Sequence, residues 1–303
     1  LSINTGGNNV SAAAALTVDN DFTMEAANTG NFSTGSNTVT VTGTTNIDGG
    51  VLEIAASPGI FDADGDFDAT GQTVTFTGDG TLKLGGDAVK GLTPNLGTLN
   101  DGLGGNITRG TVIYDNQGGG QEIYRNDTRG YFNLEIDNNG QVASMNNSAE
   151  LFVFGDLTIT TGNLTSANFA DKLTLVGDFL MNGGEFVPGN CFNHEVSGSW
   201  NDAGGTFAPG GGTIILDGAG TTQITSKAGN SFNILTIEGG THEAQSIITI
   251  TNRVTIDAGA TLQMDGNNGS FAQTIINGEL SLTNEVTSTG ITSFNSGTLS
   301  ILG

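Results

Sequence analysis

The amino-acid sequence predicts an all-β fold, a right-handed parallel β-helix in which coils of about 20–24 residues stack one on another. Three observations lead to this prediction. They are a tandem repeat, strand-type alternation within the repeat, and a composition with 49 Gly but only four Pro and no sustained helical period. Few or no helices are expected, and only residues 11–15 invite a helical turn.

The repeat is clearest in the middle of the chain, where residues 177–189 return 21 residues later as residues 198–210. The same unit extends backwards, because Gly155-Asp156 precedes Gly177-Asp178 by 22 residues. Self-similarity at so short a period leaves room for a few strands and turns, whereas a pair of helices does not fit. Three consecutive coils therefore share one register.

Alternation inside the repeat predicts strands. Residues 38–42 and 73–77 alternate threonine with apolar residues and are each followed by glycine. Alternate side chains of a strand point to opposite faces, so we expect the apolar residues inside the coil and the threonines outside. Stacked coils align equivalent positions, which predicts an internal ladder containing Phe179 and Trp200. The alternative, an antiparallel sandwich array, requires hairpin signals and a longer self-similar unit.

The repeat predicts one continuous solenoid over residues 1–303. Echoes of the unit occur from residue 16 to residue 262 without an intervening charged or Pro-rich linker. Residues 85–108 and 117–130 fit the repeat poorly and are expected to form longer loops. At the strand spacing of about 4.8 Å, the chain would make roughly 13 coils and a rod of about 60 Å.

Charge and hydrophobicity exclude several classes of partner. Eight Lys and Arg against 31 Asp and Glu give a formal net charge of −23, which repels nucleic acid and anionic membrane surfaces. No apolar run approaches the roughly 18–20 residues that span a bilayer, so no membrane insertion is expected. The single cysteine, Cys191, excludes an internal disulfide and is read as a small core residue or an intermolecular disulfide partner.

The densest acidic segment is a candidate calcium site. Strand alternation places Asp62, Asp64, Asp66 and Asp68 on the outward face, where a cation would bridge them. The spacing matches a calcium loop only in part, because Gly65 falls at the fourth position where an EF-hand has glycine at about the sixth. The alternative is a solvated acidic face without metal, and no other cofactor is expected.

A second candidate is a carbohydrate-contact patch in the irregular stretch of the chain. Arg109, Arg125 and Arg129 cluster there with Tyr124, and guanidinium and aromatic groups together suit a sugar ligand. Tyr114 and Tyr131 lie in the same stretch and are assigned to the same patch. Salt bridges that anchor the loops are the alternative use of the three arginines.

An enzyme is the rival class, because parallel β-helices also host polysaccharide lyases and hydrolases. His194 lies in Asn-His-Glu and His242 in Thr-His-Glu, so neither forms the Gly-His-Gly of polygalacturonases. The chain also has no Gly-x-Ser-x-Gly elbow, phosphate-binding loop or zinc-type His pair. We therefore expect no catalytic residues.

The two ends of the sequence read as ordinary strand without a polar cap. Leu1 and Ile3 begin the chain, and Leu299 and Ile301 close it. Unpaired strand edges are templates for association, which predicts head-to-tail stacking of copies into a filament. The equally supported alternative is a piece of a longer solenoid whose caps lie outside this sequence.

The tandem units Gly155-Asp-Leu-Thr-Ile159 and Gly198-Ser-Trp-Asn201 resemble the large surface and adhesin-type β-solenoid proteins of bacteria. The resemblance covers most of the chain. It implies an exported, extracellular or cell-surface protein that acts as a stalk, fibre or adhesin, without catalytic residues. The alternative function is that of a carbohydrate-binding or calcium-dependent polysaccharide-degrading β-helix.

Overall fold

The structure, a computed structural model, describes residues 1–55, 58–86, 95–100, 107–116, 118–124, 130–145, 150–166, 171–190, 193–264, 266–283, 286–290 and 292–301. These residues form an all-β fold of parallel sheets stacked as a β-solenoid of about 12 turns. The predicted fold class is confirmed, while the hand of the coil stays a prediction. The described residues contain no helix, and the helical turn expected at residues 11–15 is instead a strand end followed by bends.

The chain divides into two compact units, residues 1–145 with 151–155 and residues 146–150 with 156–303. Continuity of one solenoid over residues 1–303 therefore stays a prediction. The loops expected at residues 85–108 and 117–130 fall largely outside the described residues, and Cys191 lies outside them as well.

The first unit contains 16 complete strands, and one more lies at its boundary. They are β1 (Ser2–Ile3), β2 (Val10–Ser11), β3 (Leu16–Val18), β4 (Phe22–Met24), β5 (Asn31–Ser33), β6 (Thr38–Val41), β7 (Thr45–Ile47), β8 (Val51–Ile54), β9 (Ile60–Ala63), β10 (Phe67–Asp68), β11 (Thr73–Phe76), β12 (Thr81–Leu84), β13 (Thr98–Asn100), β14 (Thr111–Tyr114), β15 (Gln121–Glu122), β16 (Asn133–Ser144) and, at the boundary, β17 (Glu150–Val153).

Each regular coil of the first unit supplies one strand to each of three parallel sheets. The strand orders are β1-β4-β7-β10, β2-β5-β8-β11-β13 and β3-β6-β9-β12-β14-β16. The chain therefore turns a corner after nearly every strand, and a coil has three sides.

The second unit begins at β18 and continues to the last described strand. Its strands are β18 (Leu157–Thr165), β19 (Lys172–Leu175), β20 (Phe179–Met181), β21 (Glu185–Val187), β22 (His194–Val196), β23 (Trp200–Asn201), β24 (Thr206–Phe207), β25 (Thr213–Leu216), β26 (Thr221–Thr225), β27 (Phe232–Ile237), β28 (Thr241–Ala244), β29 (Ile248–Ile256), β30 (Thr261–Met264), β31 (Gly269–Phe271), β32 (Thr274–Ile276), β33 (Glu279–Leu282), β34 (Val286–Ser288), β35 (Thr292–Phe294) and β36 (Thr298–Ile301).

Parallel ladders also organise the second unit. One runs β18-β20-β23-β26-β28-β30-β33-β36, and another runs β19-β22-β25-β27-β29-β31-β34. A third side is formed by β18-β21-β24 and, further along, by β29-β32-β35. Phe179 pairs with Trp200, 21 residues away, as the sequence repeat predicts.

The core is a thin line of inward side chains, as the alternation predicts. Val39 and Val41 of β6 are fully buried, while Thr38 and Thr40 between them are half-buried on the outer face. The equivalent strand β11 has the same pattern, with Val74 and Phe76 inside. Burial of this one apolar face of every strand, at about 25 cal/mol per Å², is what holds successive coils together.

Five aromatic rings pack against one another inside the second unit, which confirms the predicted aromatic ladder. The indole of Trp200 lies 4.3 Å from the ring of Phe179, with an angle of 22° between their planes. Phe186 and Phe207 form a second stacked pair at 5.9 Å, and Phe232 packs 5.3 Å from Trp200. The repeated aromatic positions of the sequence are thus one continuous cluster.

Glycine at a coil corner allows the next coil to approach closely. Gly184 has a φ of +62°, and a Cβ placed on it would lie 1.9 Å from the main-chain oxygen of Gly162 in the preceding coil. Only a residue without a side chain accepts both the positive φ and this contact. The high glycine content is therefore a packing requirement of the corners.

Candidate functional sites

The acidic segment at residues 62–68 is divided by a corner of the coil. Asp62 belongs to β9 and Asp68 to β10, and these strands lie in different sheets. Phe61, Ala63 and Phe67 are buried as expected, so the carboxylates alternate outward but face different sides.

The four carboxylates form two pairs, since Asp62 and Asp64 share Lys83 and Asp115 as charged neighbours, whereas the charged neighbour of Asp66 is Asp68. Asp62 is aligned with Lys83 on the next coil, and burial raises the pKa of Asp62 while the Lys83 charge opposes the shift. Asp66 accepts the main-chain N–H of Phe67 at 3.0 Å, and Asp68 accepts that of Thr70 at 2.8 Å. Burial also raises the pKa of Asp64.

The described part of the chain contains no group of three or more His, Cys, Asp or Glu residues that could hold a metal ion. Because the corner separates Asp62 on β9 from Asp68 on β10, the placement of the four carboxylates does not add support for calcium at residues 62–68. That site stays a prediction.

Two lysines form ion pairs with acidic side chains of neighbouring coils. Lys172 Nζ lies 3.2 Å from Glu150 Oε1 and 2.7 Å from Glu195 Oε2. Lys83 Nζ lies 3.0 Å from Asp115 Oδ2 in the first unit. These groups are about one-third exposed or less, and such pairs contribute roughly 0–1 kcal/mol each.

The arginine and tyrosine patch is only partly described, since Arg125 and Arg129 lie outside the described residues. Arg109 is half-buried, and its Nη1 donates to the main-chain oxygen of Thr77 at 2.9 Å. This contact fits the anchoring role that was the alternative to sugar binding. Tyr124 is also half-buried.

Tyr114 and Tyr131 are core residues, which corrects their assignment to a surface patch. Both side chains are buried, and their hydroxyls lie 2.9 Å apart. The main-chain N–H of Tyr124 donates to the Tyr114 hydroxyl at 2.8 Å. The alternation of β14, in which Val112 and Tyr114 are the inward positions, was the sequence signal for this burial.

The repeated aspartates of the second unit join one coil to the next. Asp156 Oδ1 accepts the main-chain N–H of Asp178 at 2.9 Å, and Asp178 Oδ1 accepts that of Ser199 at 2.7 Å. The aspartate of the Gly-Asp motif therefore accepts a hydrogen bond from a main-chain N–H group at the corner of the next coil. A polar cleft of about 260 Å³ lies along this ladder, lined by Asp156, Thr158, Asp178, Phe179, Leu180, Ser199, Trp200, Asn201, Gln223 and Thr225.

The structure contains another ladder of acidic residues, which was not predicted from the sequence. Leu216, Ile237 and Ile256 are aligned on successive coils, and each is followed by an acidic residue, Asp217, Glu238 and Asp257. Burial raises the pKa of Glu238, and the charges of Asp257 and Asp217 add to the shift. The signal was an acidic residue directly after the last apolar residue of three consecutive repeats.

Both histidines are buried in the second unit. His194 Nδ1 accepts the main-chain N–H of Leu173 at 3.2 Å, so the ring proton is on Nε2. His242 Nε2 lies 2.9 Å from the Gly239 oxygen and Nδ1 lies 2.6 Å from Thr222 Oγ1. Burial lowers the pKa of His194 to about 4 and also lowers the pKa of His242.

Acid is therefore expected to destabilise the second unit through His194. The unfolded chain takes up the proton near pH 6.5 and the folded chain only near pH 4. The stability contribution is complete above pH 6.5 and is lost progressively as the pH falls to 4, by on the order of 3 kcal/mol. NMR titration of the histidine ring protons measures the pKa directly, with His194→Gln and His242→Gln as assignment variants. A pKa of 6 or above for His194 would contradict the expectation.

The fold defines the class of the protein, a parallel β-solenoid. No family model, no curated protein and no solved structure matches the chain. Among the described residues no helix is long and apolar enough to cross a membrane.

Proposed function

We propose that the protein is an extracellular, non-catalytic structural or adhesive β-solenoid of a bacterial surface filament, in which copies associate end to end. The supporting observation is the arrangement of strand edges. Within the described residues, β1, β2 and β3 pair along one edge only, with β4, β5 and β6. In the described part of the second unit, β34, β35 and β36 likewise pair along one edge only, with β31, β32 and β33.

Exposed apolar side chains accompany both sets of free edges. Leu299 on β36 is 40% exposed and Leu1 is 49% exposed, whereas Ile3 is half-buried. The side chain of Ile301 lies outside the described residues. Leu299 borders a small cleft of about 160 Å³ whose other walls include Phe271, Ile276, Leu280 and Leu282. Strands of a second copy would continue the ladders and cover these side chains, as would further coils if the sequence is a piece of a longer solenoid.

Such a protein functions through its mechanical stiffness and not through a chemical reaction. Each inner coil exchanges main-chain hydrogen bonds with the coils on both sides and presents threonine and acidic side chains to water. This arrangement gives stiffness and solubility. A surface location is consistent with the net charge of −23, which keeps the surfaces of neighbouring molecules apart except where strand edges meet.

Glycan binding is the second candidate function, and the polar cleft along Asp156 and Asp178 favours it. Its carboxylate, amide and hydroxyl groups are the hydrogen-bonding groups that sugars use, and Leu180 adds an apolar contact. Retention on a glycan array, lost in an Asn201→Ala variant, would support this function. Calcium-dependent polysaccharide degradation stays the less supported alternative.

Electron microscopy of the purified chain tests the filament. Negative-stain images over a hundred-fold range of concentration should show end-to-end polymers, and Leu299→Lys should shorten or abolish them. Ile247→Lys is the matched control, because Ile247 is 58% exposed but lies away from the free edges. Leu1→Lys tests the other edge independently.

Isolated short particles at every concentration would overturn self-association. Polymers that persist in both edge variants would show that another surface mediates contact. Circular dichroism of each variant confirms that the fold is retained.

A further inference from the structure

One corner of the second unit holds a buried carboxylate with incomplete hydrogen bonding. Asp202 follows β23 and its side chain is fully buried. Its main-chain N–H donates to the Thr225 oxygen at 2.9 Å, and its Oδ1 accepts the N–H of Lys227 at 2.9 Å. The carboxylate therefore replaces a main-chain carbonyl in the ladder between β23 and β26.

Two oxygen atoms at this corner have no hydrogen-bond partner among the described residues. They are Asp202 Oδ2 and Ser226 Oγ, and both atoms are buried. Ser226 is 7% exposed and lies between Thr225 and Lys227, the two residues that bond to Asp202. On the next coil, Ser246 Oγ accepts the N–H of Ser226 at 2.6 Å, which brings a third side-chain oxygen to the corner.

A buried carboxylate needs a compensating positive charge. Desolvation of an unpaired ion costs several kcal/mol, so buried charges are paired or coordinate metal ions. In the described structure Asp202 forms no salt bridge, since the ion pairs of the second unit are those of Lys172. Lys227 is exposed, and water screens its charge from the corner.

An open cleft lies beside this corner, on the side of the serines. It has a volume of about 450 Å³, and both Ser226 and Ser246 line it, together with Asn230 and Thr249. Because Ser226 Oγ is buried, an ion that enters from the cleft must lose part of its hydration shell to bind this oxygen. Water molecules in the cleft can complete a coordination shell that the protein supplies only in part.

We propose that Asp202 and Ser226 bind a hard divalent cation, Ca²⁺ or Mg²⁺, at this corner, with Ser246 at its edge. Carboxylate and hydroxyl oxygens are the ligands such ions prefer, and Ca²⁺ takes about six to eight of them. One carboxylate and a largely aqueous shell imply weak binding, with a Kd on the order of 10⁻⁴–10⁻³ M. The site is separate from residues 62–68 and does not depend on the filament.

Terbium luminescence tests the site, because Trp200 is the only tryptophan and lies two residues from Asp202. Two residues of strand span about 7 Å, so excitation of Trp200 should sensitise a Tb³⁺ ion held by Asp202. We expect saturable emission that millimolar Ca²⁺ or Mg²⁺ displaces, and the more effective competitor identifies the preferred ion. Asp202→Asn, which keeps the oxygen that bonds Lys227, should weaken Tb³⁺ binding about ten-fold or more.

The control is Asp217→Asn, which removes a charge from the outer acidic ladder and should leave Trp200-sensitised emission unchanged. Ser226→Ala should weaken Tb³⁺ binding several-fold. If Asp202→Asn fails to fold, the Ser226→Ala result alone tests the proposal. In parallel, 10 mM CaCl₂ or MgCl₂ should raise the Tm of the unmodified chain by about 2–4 °C and that of Asp202→Asn by less than about 1 °C. Emission that Asp202→Asn and Ser226→Ala leave intact, or a Tm that neither ion changes, would overturn the proposal.

Discussion

Replacing Trp200 by alanine is expected to lower the free energy of unfolding of the second unit by about 3–5 kcal/mol, the range for removing a large buried aromatic side chain. Trp200 is fully buried, and its ring lies 4.3 Å from Phe179, 4.9 Å from Phe207 and 5.3 Å from Phe232. The substitution therefore removes contacts with aromatic residues of three coils at once.

Urea unfolding followed by circular dichroism measures the effect of Trp200→Ala, because the variant has no tryptophan to report by fluorescence. Ile247→Ala is the control, since Ile247 is 58% exposed and its truncation should cost less than about 0.5 kcal/mol. A loss below about 1 kcal/mol for Trp200→Ala would show that the stacked rings are not the main support of this unit.

Replacing Gly184 by alanine is expected to cost about 3 kcal/mol, from two separate effects. A positive φ disfavours any side chain by about 1–2 kcal/mol, and overpacking against a neighbour adds about 1–3 kcal/mol. The Cβ would lie 1.9 Å from the Gly162 oxygen, which belongs to the backbone of the adjacent coil and moves only if the coils separate.

Two further glycines separate these effects in thermal or urea unfolding. Gly259 has a φ of +87° and no atom within 4 Å of the place that a methyl group would occupy, so Gly259→Ala should show the conformational cost alone, about 1 kcal/mol. Gly220 has neither feature, and Gly220→Ala should be neutral to about 0.5 kcal/mol. Equal losses for Gly184→Ala and Gly259→Ala would mean that close stacking of the corners contributes nothing.

The sequence repeat predicted the coil and its core because both follow from local periodicity. Strand alternation determines which residues point inward, and a period near 21 residues determines which of them are aligned on successive coils. The pairing of Phe179 with Trp200 could therefore be predicted from the sequence alone. The strands of each unit were expected for the same reason, since every regular coil repeats one hydrophobic pattern.

The corners could not be placed with the same certainty, and the candidate sites depend on them. Alternation continues through Asp64 and Gly65 as it would in a straight strand, yet the chain changes sheets there and separates Asp62 from Asp68. Asp202 is a comparable case. The aligned position in the preceding repeat is Met181, a core residue, so an inward carboxylate was visible as a substitution in the repeat but was not recognised.

The spacing of paired strands has a consequence for how the chain reaches its native state. Strand β20 finds its partner in β23 only 21 residues later, and most ladders of both units have similar separations. Such contacts are short-range for a chain of 303 residues, and folding of repeat arrays can nucleate in one coil and spread to its neighbour. Each coil, once formed, is a template for the next, so the polypeptide can fold progressively as it becomes available without waiting for its distant end.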